Sequence, residues 1–150
     1  MIVLTRVDNR LIHGQVVQSW LPRLDVSEVL VVSPGAAKKE FLQKMLRISL
    51  PSGYKLTVLG AKEAVRHSEE SKEKLFILIE DIENLFEMLK EGFHPTVITL
   101  GNTQFTEGKK QYSQGVFLTD GEVEQLKKLE TEKHISVEIR SLPSSFVTKL

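Results

Sequence analysis

The sequence of 150 residues contains no cysteine. This absence excludes disulfide bonds and metal sites built on thiolates. Lysine and arginine together number 20, and aspartate and glutamate also number 20, so neither sign of charge is in excess. A chain with this balance has no overall field that would attract nucleic acid or an anionic membrane. We therefore expect no nucleic-acid partner.

Several other signals are also missing. No apolar run approaches the roughly 20 residues that a membrane-spanning helix needs. The start, MIVLTRVDNR, is charged from residue 6 and lacks the apolar region and cleavage site of a signal peptide. The sequence has no P-loop, no G-x-G-x-x-G and no nucleophile elbow. We expect a cytoplasmic protein that reaches any membrane through a partner, with no cofactor and no metal.

Short runs rich in valine, isoleucine and leucine recur along the chain and are typical of strands. Several of them are continuous rather than alternating, as in strands that are covered on both faces of a parallel sheet. The seven runs are 2–7, 28–33, 55–59, 75–79, 96–100, 116–119 and 135–140.

Segments with helical periodicity separate most of these runs. They are 15–21, 36–49, 61–67, 82–90 and 120–133. Within them, Phe41 and Phe86 are predicted to face the core. Strands that alternate with helices predict an α/β fold with a mostly parallel sheet, and the absence of repeats or linkers predicts one domain over 1–150.

The stretch RVDNRLIHGQ at residues 6–15 combines several reactive residue types. It follows the first predicted strand directly, so His13 is expected in a loop at the carboxyl end of a strand. Ligands bind at these ends in open α/β sheets. The free N–H groups at the start of the next helix favour a phosphate at this position.

The residue types in this loop suit a phosphoryl group held on an imidazole. A neutral histidine nitrogen is a nucleophile near neutral pH, which makes His13 a candidate acceptor. Arg10 offers a planar fork of donors for phosphoryl oxygens. Asp8 could accept a bond from the other ring nitrogen or from Arg10. Gly14 would let the backbone approach the incoming group.

Judged from the residues alone, purely structural interpretations compete with the interpretation that His13 carries a phosphoryl group. His13 could be an interior histidine with satisfied hydrogen bonds, Arg6 and Asp8 a surface ion pair, and Gly14 part of a turn. The other three histidines have no spacing that suggests a metal site and are predicted to be structural: His67, His94 and His134. The run EGKKQ at 107–111 is predicted to be a solvated loop, with a docking role for Lys109 or Lys110 as the alternative.

The stretch RVDNRLIHGQV, followed by Trp20, closely resembles the active-site segment of IIB components of the mannose/fructose/sorbose family of sugar phosphotransferase systems. Further similar segments are VLVVS at 29–33, Gly101-Asn102 with EGKKQ at 107–111, VFLT at 116–119 and VEIR at 137–140 with Pro143. The resemblance therefore covers nearly the whole chain. It implies an open sheet of about seven strands with one reversed edge strand and helices on both faces.

The resemblance also implies an activity and partners. His13 would accept a phosphoryl group from a phosphorylated IIA protein or domain and pass it to a sugar carried by membrane IIC and IID components, with Arg10 as a phosphate clamp. The chain would then be a protein-phosphohistidine–sugar phosphotransferase. The alternative is a regulatory phosphoprotein derived from such a system. The predicted catalytic residues are His13, Arg10 and Asp8, and the predicted phosphate-binding residues are Arg6, Arg10, Gly14, Gln15 and Ser33.

Two positions depart from the family pattern. Members commonly carry an acidic residue just after the second strand, where this chain has Ser33-Pro34, and they place asparagine where it has Thr99. Both positions are at strand carboxyl ends, so we expect both to lie near His13. The loss of a carboxylate at Ser33-Pro34 is predicted to lengthen the lifetime of the phosphohistidine by removing a repulsion. The alternative is that the carboxylate orients the site, in which case an aspartate at either position would speed transfer.

Overall fold

The buried apolar runs form the strands of a central parallel sheet. A computed structural model describes residues 1–150 and contains β1 (Ile2–Asp8), β2 (Glu28–Val32), β3 (Lys55–Leu59), β4 (Leu75–Ile79), β5 (Val97–Asn102), β6 (Lys110–Ser113), β7 (Val116–Leu118) and β8 (Ser136–Ile139). Six of them form one sheet in the order 3-2-4-1-5-8, and every neighbouring pair in it is parallel. All residues of β2 and β4 are buried, as expected for strands covered on both faces.

The helices cover the two faces of this sheet. A π-helical segment, Val16–Trp20, leads into a 3₁₀ turn, Leu21–Arg23, and the α-helices are α1 (Pro34–Ala37), α2 (Glu40–Ser49), α3 (Ala61–Glu70), α4 (Ile82–Lys90) and α5 (Asp120–Lys133). The segment after β1 and α2 pack on one face, and α3, α4 and α5 pack on the other. The α/β fold class is therefore confirmed. Each helix is too short or too polar to cross a lipid bilayer.

The expected reversed edge strand is reduced to one antiparallel bridge between Ile139 and Thr148. All seven predicted runs are strands, but the run 116–119 is β7, which pairs with β6 in a separate antiparallel hairpin. The edge strand β8 is parallel to β5 because α5 carries the chain back across the sheet between them.

The predicted helix 36–49 is wrong in two respects. It is divided into α1 and α2, because Lys39 has an extended backbone and Ser33 caps a separate short helix. Phe41 is not in the core, since its side chain is 70% exposed. Leu46 faces the sheet instead. Phe86 in α4 does pack against the core, as predicted.

The chain leaves β1 and β5 in opposite directions, and this positions the site. From β1 the chain passes to β2 on one side, whereas from β5 it passes through the hairpin and α5 to β8 on the other side. A crevice opens at such a switch point, between the carboxyl ends of the two strands. On the face that carries Trp20, β1 presents Arg6 and Asp8 to this crevice.

Candidate active site

The loop after β1 is held in a fixed shape that turns His13 outward. The N–H of Leu11 donates to the carbonyl of Asp8 at 3.0 Å, and Leu11 itself has a positive φ of 57°. A bulky residue adopts this left-handed conformation only when its surroundings impose it. Ile12 is buried in the apolar cluster around Trp20, so it anchors the loop while its neighbour His13 remains partly exposed.

Asp8 is the centre of the site and is fully buried. Its Oδ1 accepts bonds from the backbone N–H and from Nε of Arg10, at 3.1 and 3.0 Å. Its Oδ2 accepts from Nη2 of Arg10 at 2.9 Å and lies 3.3 Å from Nε2 of His13. The two contacts that the sequence left as alternatives for Asp8 are therefore both present, because each uses a different part of the carboxylate.

This environment keeps Asp8 ionised. Burial by itself raises the pKa of the carboxyl, but the hydrogen bonds from His13 and Arg10 outweigh it and lower the pKa to about 2. A carboxylate with so low a pKa is a poor proton acceptor at neutral pH. Asp8 is therefore suited to hold and orient its neighbours rather than to take a proton.

The contacts of His13 define which ring nitrogen is available. The backbone N–H of Gln15 lies 3.3 Å from Nδ1, and an N–H can only donate, so Nδ1 carries the lone pair. Nε2 then carries the proton and donates it to Asp8 at 3.3 Å. The arrangement assigns the imidazole one tautomer, with the proton on Nε2 and the lone pair on Nδ1. The side chain of His13 is 17% exposed, which leaves an edge of the ring open.

Arg10 shares Oδ2 of Asp8 with His13 and has donors to spare. Nε and Nη2 form a two-pronged contact with Asp8, and Nη2 is also 3.4 Å from the side-chain oxygen of Gln15. The side chain of Arg10 is 37% exposed. Asp8 thus holds the guanidinium in place, and the exposed part of the fork can receive an oxyanion.

Two residues predicted to bind phosphate lie apart from the open edge of His13. Arg6 is fully buried and donates to backbone carbonyls, so it has no route to a ligand; its pairing with Asp8 is an interior one, not a surface ion pair. Ser33 is also buried, and its hydroxyl accepts from the N–H of Ala36 to cap α1. Ser33 follows β2, and β4 separates β2 from β1.

The other predicted residues lie next to His13. Gln15 contacts both His13 and Arg10. A Cβ added to Gly14 would meet no heavy atom within 4 Å, so this glycine is not required by internal packing. Its open surroundings are compatible with the close approach of another molecule.

Thr99, the second departure from the family pattern, is buried and donates to Glu138 at 3.3 Å.

A polar cavity of about 480 Å³ lies beside these groups, at the crevice between β1 and β5. It is lined by Arg10, Gln15, Gly101, Asn102, Gln114, Gly115, Ser141 and Leu142. The contributions of Gln114 and Ser141 were missed by the sequence analysis, since they come from the β6–β7 hairpin and from the loop after β8. The order of the strands brings them here, and no local pattern in the sequence indicates that order. Asn102 belongs to a segment that the family resemblance had marked.

Comparisons with known proteins show which family the sequence matches. The sequence matches the family described as "PTS system sorbose subfamily IIB component" over residues 2–149. The sorbose-specific EIIB component of Lacticaseibacillus casei is 29% identical over 86% of this chain and 80% of that protein. The N-acetylgalactosamine-specific phosphotransferase enzyme IIB component 1 of Escherichia coli (strain K12) is 27% identical over 95% of this chain and 91% of that protein.

Solved structures show the same fold. The crystal structure of manxB from Thermoanaerobacter tengcongensis superposes with a TM-score of 0.87 at 30% identity, covering 99% of this chain and 92% of that one. The N-acetylgalactosamine-specific IIB component 1 from Escherichia coli superposes with a TM-score of 0.92 at 25% identity, covering 100% and 99%. The predicted resemblance is confirmed: the chain belongs to the sorbose subfamily of IIB components of sugar phosphotransferase systems, whose members are phosphotransferases that act in sugar uptake.

Proposed function

We propose that this chain carries a phosphoryl group on Nδ1 of His13, between a phosphorylated IIA protein and a sugar. The observation that carries the proposal is the tautomer of His13. Asp8 holds the proton on Nε2, and the lone pair of Nδ1 accepts a bond of 3.3 Å from the N–H of Gln15, which a bond to phosphorus would replace. A neutral imidazole nitrogen held in this way is a competent nucleophile near neutral pH.

In the first step Nδ1 attacks the phosphorus atom of the donor phosphohistidine. The N–P bond of the donor breaks, the bond from Nδ1 to phosphorus forms, and the donor imidazole recovers its lone pair. The ring of His13 then carries a positive charge, which the buried carboxylate of Asp8 stabilises through Nε2–H. In the second step a sugar hydroxyl oxygen attacks the phosphorus, the bond to Nδ1 breaks and the hydroxyl proton is released.

Arg10 supplies the charge that the transferring group needs. Its guanidinium is fixed by Asp8, which also contacts His13, and Arg10 lines the polar cavity together with Gln15. Phosphoryl transfer depends mainly on positioning and on stabilising charge on the phosphoryl oxygens. We assign Arg10 as the phosphate clamp, with Gln15 and the backbone beside Gly14 as further contacts. The cavity leaves room for the phosphoryl group and for the reacting hydroxymethyl or hydroxyl group.

The partners follow from the same proposal. The mannose-specific EIIAB component of Escherichia coli (strain K12) is 28% identical to this chain, which spans 45% of that longer protein. Its name joins an A and a B component, which supports a IIA protein or domain as the donor. The acceptor is a hexose or hexosamine presented by membrane IIC and IID components, with the chain in the cytoplasm and at the membrane through them. The names of the relatives mention sorbose, N-acetylgalactosamine, mannose and fructose.

Intact-mass measurement after incubation with a phosphorylated IIA protein tests the proposal. We expect a gain of one phosphate that is labile in acid and stable in base. Phosphorus NMR of the product should show the Nδ1 isomer of phosphohistidine. A donor that phosphorylates another IIB component but adds no mass to this chain would overturn the proposal, and the Nε2 isomer would overturn the assignment of the nitrogen.

A further inference from the structure

Arg6 is a fully buried cation whose contacts join distant parts of the chain. Nη1 donates to the carbonyl of Arg140 at 2.7 Å, and Nη2 donates to the carbonyl of Ser141 at 3.0 Å. Nε lies 3.5 Å from Oδ2 of Asp8. The side chain thus lies between the loop after β8 and the carboxylate that holds His13.

The surrounding structure is shaped to accept this guanidinium. A Cβ added to Gly101 of β5 would clash with the guanidinium of Arg6, so a larger residue there would displace the guanidinium from its present position. The ring of Trp20 lies over the guanidinium, with 4.6 Å between the carbon of the guanidinium and the ring centroid. The indole N–H of Trp20 donates to the carbonyl of Ser141 at 3.2 Å, which ties the same loop to the site again.

Burying a guanidinium is costly unless its donors are satisfied. Burial lowers the pKa of Arg6 to about 10, although the nearby Asp8 carboxylate favours the charged form. The group therefore remains a cation at neutral pH. Two backbone carbonyls accept hydrogen bonds from Nη1 and Nη2, and the Asp8 carboxylate pairs with the charge at 3.5 Å from Nε, which has no hydrogen-bond partner. These contacts fix the relative positions of the two carbonyls and the carboxylate.

We propose that Arg6 is a positioning residue, which couples the loop at Arg140 and Ser141 to Asp8 and, through Asp8, aims His13 and Arg10. This inference rests on the proposed function of His13. It replaces the sequence-based prediction that Arg6 binds phosphate. It also makes a segment close to the end of the chain part of the site, although 135 residues separate Ser141 from Arg6.

Arg6→Lys tests the coupling because lysine keeps the charge but cannot donate to both carbonyls with a planar fork. We expect the maximal rate of phosphoryl transfer to His13 to fall roughly 10- to 100-fold, since small misplacements of reacting groups cost about this much. The KM for the phosphorylated donor should change less than about twofold, because Arg6 contacts no ligand. An Arg6 that bound phosphate directly would change KM as well.

Proton NMR of the unphosphorylated protein gives a second measurement that does not depend on transfer. Nε2–H of His13 should give a slowly exchanging, downfield resonance while Asp8 accepts its bond, and this resonance should be lost in Arg6→Lys. Glu28→Gln is the matched control, because Glu28 is also a fully buried charged residue but lies at the opposite edge of the sheet. Glu28→Gln should lower stability while leaving both the transfer rate and the resonance unchanged.

Trp20→Phe extends the test if Arg6→Lys does not fold. Phenylalanine keeps an aromatic ring near the guanidinium but removes the bond from the indole N–H to Ser141. We expect a fall in the transfer rate of about two- to fivefold. In an Asp8→Asn background Arg6→Lys should have less than a twofold effect, because both residues act in one chain of contacts.

The inference is overturned if the folded Arg6→Lys protein, or Trp20→Phe in its place, keeps both the wild-type rate and the Nε2–H resonance. It is also overturned if Arg6→Lys has its full effect in the Asp8→Asn background. If the wild-type protein accepts no phosphate, the proposed function fails, but the NMR comparison still measures whether Arg6 positions the ring.

Discussion

The sheet has two contacts between a buried carboxylate and a histidine. One lies at the carboxyl ends of the strands, called the carboxyl edge, and the other at their amino ends, called the amino edge. At the carboxyl edge, Asp8 at the end of β1 accepts from Nε2 of His13. At the amino edge, Glu28 at the start of β2 accepts from Nε2 of His67 in α3 at 2.5 Å. Both carboxylates are fully buried, and both histidines are partly exposed.

The surroundings of the two pairs differ in the charges that they provide. Asp8 lies between the guanidinium groups of Arg6 and Arg10, and Arg10 faces the cavity of about 480 Å³. Around Glu28, the further polar neighbours are Nζ of Lys55 at 4.0 Å and the hydroxyl of Ser71 at 3.5 Å. The second pair connects β2 to α3, and Lys55 connects it to β3. These contacts hold the three elements together.

If His13 is the phosphoryl carrier, as we propose, a carboxylate that holds a histidine is not by itself enough to make a phosphoryl site. The carboxyl edge adds an arginine with exposed donors, a ring nitrogen kept free of its proton and a crevice at the switch in strand direction. These additions come from the loop after β1 and from the strand order. They are what the following variants are designed to remove.

The largest difference between the two pairs is expected on removing each histidine. His13→Ala should abolish the acid-labile, base-stable phosphate, because the accepting nitrogen is gone. His67→Ala should keep phosphorylation at the wild-type level and lower only stability. Intact mass after incubation with the phosphorylated donor measures both. Label that persists in His13→Ala, or disappears in folded His67→Ala, would reverse the assignment of the two pairs.

Removing the exposed cation beside each pair should have the next largest effect. Arg10→Ala should slow phosphoryl transfer by about 2–4 kcal/mol, or roughly 30- to 1,000-fold, as when one transition-state donor is removed. Arg10→Lys should recover only part of the rate, since an ammonium cannot replace the planar fork. Lys55→Ala, at the amino edge, is the control and should leave the rate unchanged. Stopped-flow or quench measurements of transfer give the rates, and equal rates for all three variants would remove Arg10 from the site.

The stability of the protein at low pH should show how strongly the carboxyl edge depends on an ionised Asp8. Its pKa is about 2 in the folded protein and 3.8 in the unfolded reference. A lowered folded pKa contributes stability that is complete above the unfolded pKa and is lost as pH falls through the folded pKa. The contribution is about 2.5 kcal/mol at neutral pH, from about 1.4 kcal/mol for each pH unit between the two values.

Asp8→Asn tests this dependence because asparagine has nearly the same shape and does not titrate. The variant should be less stable than the wild type at pH 7, and the difference should narrow by about 2 kcal/mol between pH 4 and pH 2. Urea unfolding at pH 7, 4, 3 and 2 measures both proteins. A difference that stays constant over this range would mean that Asp8 does not have its lowered pKa.

The strands of the central sheet and the loop after β1 were predictable from the sequence, whereas the walls of the site were not. The prediction of a solvated loop at 107–111 is wrong at its end, because β6 begins at Lys110. The continuous apolar runs identify strands because both faces of the sheet are covered. The loop after β1 could be located because its residues are adjacent in the chain. Gln114 and Ser141 reach the cavity only through the strand order, and the buried state of Arg6 depends on the space at Gly101. Tertiary contacts of this kind leave no periodic signal.

Ser33 is a residue that the sequence predicted near the site but that the strand order places away from it. Ser33 was expected near His13, because both residues follow the carboxyl ends of parallel strands. In the sheet, Val7 and Val32 flank Ile79 on its two sides, so β1 and β2 are separated by β4. Two strand spacings of about 4.8 Å put Ser33 roughly 10 Å from Asp8. A carboxylate at position 33 would therefore act on the phosphoryl group only at long range.

The smallest expected effect is that of Ser33→Asp, with Ser33→Asn as its matched control. Aspartate and asparagine both cap helices well, so each should keep the cap of α1 that Ser33 now provides. They differ by one charge.

Two unit charges roughly 10 Å apart interact by about 1.7 kcal/mol at an effective dielectric of about 20 and by about 0.4 kcal/mol in water. Because the screening length at physiological salt is about 8 Å, we expect the lower figure to apply. The added carboxylate repels the phosphoryl group, so phosphohistidine should decay about twofold faster in Ser33→Asp than in Ser33→Asn, and added salt should abolish the difference. A tenfold difference, or one that persists in 1 M salt, would place position 33 within direct reach of the phosphoryl group and would contradict the separation of the two strands.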